Sequence, residues 1–322
     1  MTKNRRRASE TPSRELEGMW AGVPTPWKQN FALDERSLRT NIRRMIQAGV
    51  HGIYLLGSTG EFYALDGSEF KAVVDILTDE GSESGIPLSV VCSSPNTRET
   101  IRQLSYAAQR GCDAAQVVLP YWMELTEREV LQFFQDVSHA VPHLRLIHYN
   151  IPRAKRFLLG KDYVRIREVA PNLVGCKFTF AGSHFADLID ALILNPGMKF
   201  FVAESLLVSA MQLGAHGSCS SLVYTSSSYL MKMYSLARNG VWDEALQMQK
   251  RIRLLQNGVT ALVGGLGEGD IDPVIDKGLG VAAGGIVGHQ RTRPPYIGWS
   301  DATVCEVRKW MNLHFREFLA SA

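Results

Sequence analysis

Residues 144–179 read LRLIHYNIPRAKRFLLGKDYVRIREVAPNLVGCKFT, and the fold is decided within them. Leu144 to Tyr149 is a short apolar run of strand length. Gly160 to Val169 places apolar residues at helical spacing, and Leu173 to Lys177 is a second apolar run. Strand, helix and strand in about thirty residues is a parallel crossover, because parallel neighbours need a connection long enough for a helix. Both runs close on a chemically active side chain, Tyr149 in the first and Lys177 in the second. An amine at the end of an apolar strand must be paired, desolvated into its neutral form, or used.

The same alternation extends in both directions. Further strands are expected at Met19–Thr25, Gly52–Leu56, Pro87–Cys92, Ala114–Leu119, Lys199–Ala203 and His216–Ser220. Amphipathic stretches at Glu35–Gln47, Ser68–Thr78, Thr97–Gln109, Thr126–Ala140, His184–Leu194 and Ser205–Leu213 separate them. Thr126 with Glu129 three residues on forms a capping box, and Gly49, Gly111 and Gly214 stand where helices stop. Eight such units are the count of a (β/α)8 TIM barrel, an α/β fold. A doubly wound sheet lacks support, since no G-x-G-x-x-G turn follows the first strand.

The expected division is a disordered basic N-terminus over 1–17, the barrel over 18–225, and a C-terminal helical extension over 226–322. Ser226–Gln256 reads as one or two helices, and Ser300–Ala320 as a final one. Between them a glycine-rich segment, Gly264–Gly269 and then Gly278–Gly288, is expected to be a mobile loop.

Composition narrows the class. The chain has 322 residues, 45% hydrophobic and 21% charged, as in an ordinary globular enzyme with a large core. Its net charge of +3 owes much to Lys3, Arg5, Arg6 and Arg7, and no basic stripe recurs on a helix, so no nucleic-acid partner is expected. No run nears the roughly twenty apolar residues of a membrane span, and no signal-peptide core opens the chain. Five cysteines, an odd number without C-x-x-C spacing, fit reduced thiols and a cytoplasmic location. The eight histidines lack metal-ligand spacing, so no metal or organic cofactor is expected.

In a barrel the chemistry lies at the C-terminal ends of the strands. Those ends carry Gly57-Ser58-Thr59-Gly60-Glu61, Pro120-Tyr121-Trp122, Tyr149-Asn150, Lys177 and Ser218–Ser221. From position alone Lys177 reads equally as a nucleophile and as half of a structural ion pair. Its neighbours Cys176, Phe178 and Val174 make the setting apolar, which favours a neutral, nucleophilic amine. Tyr149 alone reads as a core tyrosine, but beside Lys177 it supplies a proton shuttle. Ser58 and Thr59 between Gly57 and Gly60 form either a tight turn or a carboxylate cradle. Glu61 reads as a residue that ties down this turn.

Taken together, G-S-T-G-E at 57–61, Y-N-I-P at 149–152 and C-K-F-T at 176–179 resemble the dihydrodipicolinate synthase / N-acetylneuraminate lyase family of Schiff-base barrels. G-A-H-G-S-C at 214–219 and Arg293-Pro-Pro-Tyr296 are similar to further segments of that family. The resemblance covers about residues 18–256. It implies that Lys177 forms an imine with a 2-oxo acid such as pyruvate, that Tyr149 shuttles the proton, and that Ser58 and Thr59 hold the carboxylate and join the relay. It also implies a homodimer or homotetramer.

Two departures bear on the reaction. The lysine-pathway synthases carry an arginine five residues after the tyrosine. Here that place is Ala154, with Arg153 one position early. Where they have a second tyrosine after the P-Y of the fourth strand, this chain has Trp122. The resemblance therefore implies an aldolase or hydratase-aldolase with a flat, apolar acceptor site that includes Trp122. Gly57, Gly60, Arg153 and Ser220 are the other expected substrate-binding residues. The rival readings are 4-hydroxy-tetrahydrodipicolinate synthase, a keto-deoxy sugar acid dehydratase, and, from another class, a barrel that only binds.

Overall fold

Strands covered on both faces are built from near-continuous apolar runs, and the runs of this chain form one closed parallel sheet. The computed structural model describes residues 14–179 and 183–320. Its strands are β1 (Gly18–Gly22), β2 (Gly52–Leu55), β3 (Leu88–Cys92), β4 (Ala114–Val117), β5 (Arg145–Asn150), β6 (Leu173–Phe178), β7 (Lys199–Val202) and β8 (Gly217–Ser220). Each pairs in parallel with the next, and β8 returns to β1. Nearly every strand residue is buried, and Trp20 meets Phe201 edge-on inside the sheet at 5.5 Å.

The crossover helices are α1 (Glu35–Gln47), α2 (Gly67–Gly81), α3 (Thr97–Gln109), α4 (Glu127–Ala140), α5 (Gly160–Val169), α6 (Phe185–Leu194) and α7 (Leu207–Met211). Local signals place their ends. Thr126 Oγ1 accepts from the Glu129 N–H while Glu129 Oε2 accepts from the Thr126 N–H at 2.7 Å, the expected capping box. The third helix is capped by Asn96 Oδ1, which accepts the Glu99 N–H at 2.9 Å. Such a cap contributes about 1 kcal/mol. Gly49, Gly111 and Gly214 have φ of +76°, +83° and +102°, the left-handed region that favours glycine at a helix stop.

Three expectations need correction. Within 1–17, residues 1–13 lie outside the described residues, but Arg14–Glu17 are anchored. Arg14 donates to Asp113, to Ile86 O and to Ser82 O, and Leu16 is buried. The boundary at 225 falls before the barrel is complete, because α8 (Ser227–Arg238) is its eighth helix and packs on β1 and α7.

The third correction is the glycine-rich segment. A helix, α9 (Trp242–Gly265), runs into it, and a second, α10 (Val274–Ala283), occupies its middle, much of it buried. Gly278 and Gly280 serve close packing, not mobility. A Cβ at Gly278 would sit 2.0 Å from the Trp299 ring, and one at Gly280 would sit 2.9 Å from Tyr224. Composition counts the conformational freedom of glycine, but contacts from distant residues decided its use. α11 (Asp301–His314) packs against α10, capped by Ser300. No helix among the described residues is long and apolar enough to cross a membrane.

Candidate active site

The alternation of β-strand side chains brings Tyr149 and Lys177 to one level. They are register partners on β5 and β6, so both project to the same side of the sheet. The Lys177 Nζ lies 3.9 Å from the centre of the Tyr149 ring and 4.6 Å from that of Tyr54, and it donates to the Tyr54 hydroxyl at 3.4 Å. Lys177 is 7% exposed. Burial works against its charge, but the oxygens of Tyr149 and Tyr54 and the thiol of Cys219 outweigh burial and hold it above the ordinary lysine value. That direction does not favour the expected neutral amine, and the amine rests on two aromatic faces, a seat that suits a cation.

The turn after β2 faces this pair. Ser58 Oγ lies 3.3 Å from the Tyr149 hydroxyl and accepts from Arg153 at 3.1 Å. Thr59 Oγ1 donates to Asp276 Oδ2 on α10 at 2.5 Å. Burial, and then the charge of Asp272, push the Asp276 carboxyl well above the usual range, which favours its protonated form. Leu56 and Glu61 bracket the turn with φ of +66° and +54°. That left-handed backbone holds because Glu61 is fully engaged. Its carboxylate accepts from Lys277, from Trp27 Nε1 at 2.8 Å and from the Arg293 N–H at 2.8 Å. Lys277 and Glu61 are both buried, and burial pulls the Lys277 ammonium down to about 8. Gly60 is required here, since a Cβ would meet Leu56 N at 2.7 Å, whereas one at Gly57 would make only ordinary contacts.

A cavity of about 200 Å³ opens at this mouth. Phe62, Tyr63, Tyr121, Tyr149 and Tyr296 line it with Ile271, and its polar contributions include Ser58, Arg153 and Asp272. Lys177 lies one side chain further in, against Tyr149. Barrel geometry, not fold analogy, puts all these groups on one face.

The Dihydrodipicolinate synthetase family matches residues 15–264. The chain belongs to this family. Among relatives, a 4-hydroxy-tetrahydrodipicolinate synthase of Thermus thermophilus is 32% identical over 200 residues, covering 61% of this chain and 65% of that one. The chain thus matches just under two thirds of that relative's length. The prophage protein YagE of E. coli K12, solved in complex with pyruvate, superposes with a TM-score of 0.83 at 21% identity, covering 92% and 98% of the two chains. PhdJ bound to a substrate intermediate gives 0.82 at 21% identity, covering 97% and 100%. At that identity both show the shared barrel.

Within this dihydrodipicolinate synthetase family barrel the Lys177 amine meets Tyr149, the Tyr149 hydroxyl meets Ser58 and Ser58 meets Arg153, while the Thr59 hydroxyl turns to Asp276. Two expected substrate-binding residues stand apart from this chain of contacts. Trp122 is 72% exposed and is absent from the cavity wall; its carbonyl accepts from Lys155, and it is its neighbour Tyr121 that lines the cavity. The Ser220 hydroxyl caps the turn after β8, accepting from Leu222 N at 3.0 Å and Val223 N at 2.9 Å. Sequence reading missed Tyr54, Asp272 and Asp276. Tyr54 sits mid-strand, where nothing local marks it. Asp272 and Asp276 lie 119 and 217 residues from their partners, and no local pattern marks them. Among the described residues no group of three or more His, Cys, Asp or Glu side chains is placed to hold a metal ion.

Proposed function

We propose that the chain is a class I lyase that makes or breaks a C–C bond beside an imine formed between Lys177 and a 2-oxo acid, with pyruvate the simplest fit. The observation that carries this reading is the buried Lys177 amine on the face of Tyr149, whose hydroxyl meets Ser58. Tyr149 relays a proton from the ammonium, its own hydroxyl proton passing to Ser58, and the same relay run in reverse delivers a proton to the carbinolamine oxygen as water leaves and the C=N bond forms. The imine nitrogen then draws electrons from the adjacent carbon, so that a proton or an aldehyde can depart and leave an enamine. The backbone N–H groups of Ser58 and Thr59 face the carboxylate of the oxo acid while Asp276 holds the Thr59 hydroxyl, and Ser58 passes protons between Tyr149 and the mouth. The reading calls for no metal or organic cofactor.

The aromatic lining supports a flat, apolar acceptor, as in an aldolase or hydratase-aldolase. A void of ~150 Å³ with apolar walls already holds a benzene ring. A second reading, synthesis from pyruvate and aspartate semialdehyde, is favoured by the name of the Thermus thermophilus relative. We propose assembly as a homodimer or homotetramer in the cytoplasm, with the exposed Trp122 and Met123 as the first surface to test.

Borohydride reduction in the presence of pyruvate tests the reading. The expected result is one covalent pyruvate adduct on Lys177. No added mass there would remove the Schiff-base reading altogether. Steady turnover of aspartate semialdehyde to a cyclic product would replace the aldolase reading with the synthase one.

A further inference from the structure

Among the described residues, Arg153 is the one cation lining the mouth cavity, and it is already engaged. Its Nη1 donates to Asp272 Oδ2 at 3.0 Å and to Ser58 Oγ at 3.1 Å. Asp272 comes from the segment that leads into α10, far along the chain, and lines the same cavity. The rest of the wall is aromatic or aliphatic apart from hydroxyls. A second cavity, of about 590 Å³, is also lined by Asp272, together with Glu204, Asp276 and Arg253. The charge of Arg153 is therefore matched before any substrate arrives.

We infer that Asp272 is a specificity-determining residue that, by pairing with Arg153, makes the acceptor site select neutral, flat aldehydes and reject those bearing a carboxylate. This rests on the lyase reading for its reaction but on the Arg153–Asp272 contact for its physics. An incoming carboxylate near Arg153 is attracted by the guanidinium and repelled by Asp272 at nearly the same distance, so it gains little from the site while losing its hydration. A neutral aryl group loses no such hydration and gains the faces of Tyr63, Tyr121 and Tyr296. Arg153 keeps a second duty, since its contact with Ser58 holds that hydroxyl toward Tyr149. Asp272 thus lets a cation remain beside the relay without recruiting an acidic acceptor.

The experiment uses two matched probes that cannot form an imine, benzyl alcohol and 4-(hydroxymethyl)benzoate, with affinities measured by calorimetry on the full chain. The wild type is expected to bind the neutral probe at least as tightly as the charged one. In Asp272→Asn the charged probe should tighten about tenfold relative to the neutral one, the scale of one charge-assisted hydrogen bond. The gain should vanish in Asp272→Asn/Arg153→Met and be absent from Asp272→Glu. Cooperative thermal melts establish that each variant folds. A wild type that prefers the charged probe, an unchanged ratio in Asp272→Asn, or failure of either probe to bind any variant would overturn the inference. Because neither probe reacts with Lys177, these outcomes are independent of the borohydride result, which decides the lyase reading alone.

Discussion

Tyr149 and Lys177 stand opposite one another in register on adjacent strands, with the Lys177 Nζ 3.9 Å from the centre of the Tyr149 ring. One side chain seats the ammonium and also carries the hydroxyl that Ser58 meets. Tyr149→Phe keeps the aromatic seat and removes the shuttle. Turnover should fall by about 10²–10⁴-fold, while slow borohydride trapping of pyruvate on Lys177 persists. Lys177→Ala should abolish both. Mass spectrometry of the trapped protein separates the two variants, and full turnover in Tyr149→Phe would exclude the shuttle.

The buried Glu61–Lys277 pair fastens α10 to the turn that carries Ser58 and Thr59. Removing one partner strands the other charge away from water. Lys277→Met should cost about 3–5 kcal/mol of stability, and Glu61→Gln/Lys277→Met should recover a large part of it. Denaturant titration of the three proteins checks this. Equal loss in the single and double variants would show that the pair is not coupled.

The same lysine sets a pH dependence with a definite sign. Its folded value is depressed to about 8, below the ordinary lysine value. Between the two values the unfolded chain binds a proton that the folded chain has released, so this group's contribution to stability rises with pH. The slope is about 1.4 kcal/mol per pH unit for one group. The contribution is fully present above the unfolded value and is lost as pH falls through the folded one. In melts from about pH 7.5 to 9.5, the wild type should therefore gain stability relative to Glu61→Gln/Lys277→Met as pH rises. A constant difference would contradict the assignment.

The Thr59 hydroxyl donates to Asp276 at 2.5 Å, which fixes the turn whose N–H groups are assigned to the oxo-acid carboxylate. Thr59→Val leaves a buried carboxyl without its partner and should cost about 1–3 kcal/mol. It should also raise the KM for pyruvate more than it lowers kcat. Asp276→Asn, which keeps a hydrogen-bonding group beside Thr59, should change the KM far less. Steady-state kinetics on both variants test the order, and a reversed order would show that Asp276 does not position Thr59.

Trp122 and Tyr121 are neighbours with opposite fates, the first exposed and the second on the cavity wall. Tyr121→Ala should weaken binding of an aryl aldehyde severalfold, as expected when an aromatic contact worth about 1 kcal/mol is removed. Trp122→Ala should leave the affinity unchanged. A larger effect at Trp122 would mean that it enters the site from a neighbouring copy of the chain.

The sequence by itself determined the barrel, because hydrophobic period and helix-end chemistry are local and repeat in every unit. It also brought Tyr149 and Lys177 together, since they close consecutive strands of one crossover. What surrounds that pair was decided only in three dimensions. Glycines that by composition signal mobility became the contact face of α10, because Trp299 and Tyr224 leave no room for a Cβ there. That helix and the segment before it carry Asp272, Asp276 and Lys277 onto Arg153, Thr59 and Glu61 across more than a hundred residues each. Side-chain orientation at the strand ends chose Tyr121 over Trp122 for the cavity. Such contacts depend on which distant surfaces meet once the core has formed, and no local pattern in the chain records them.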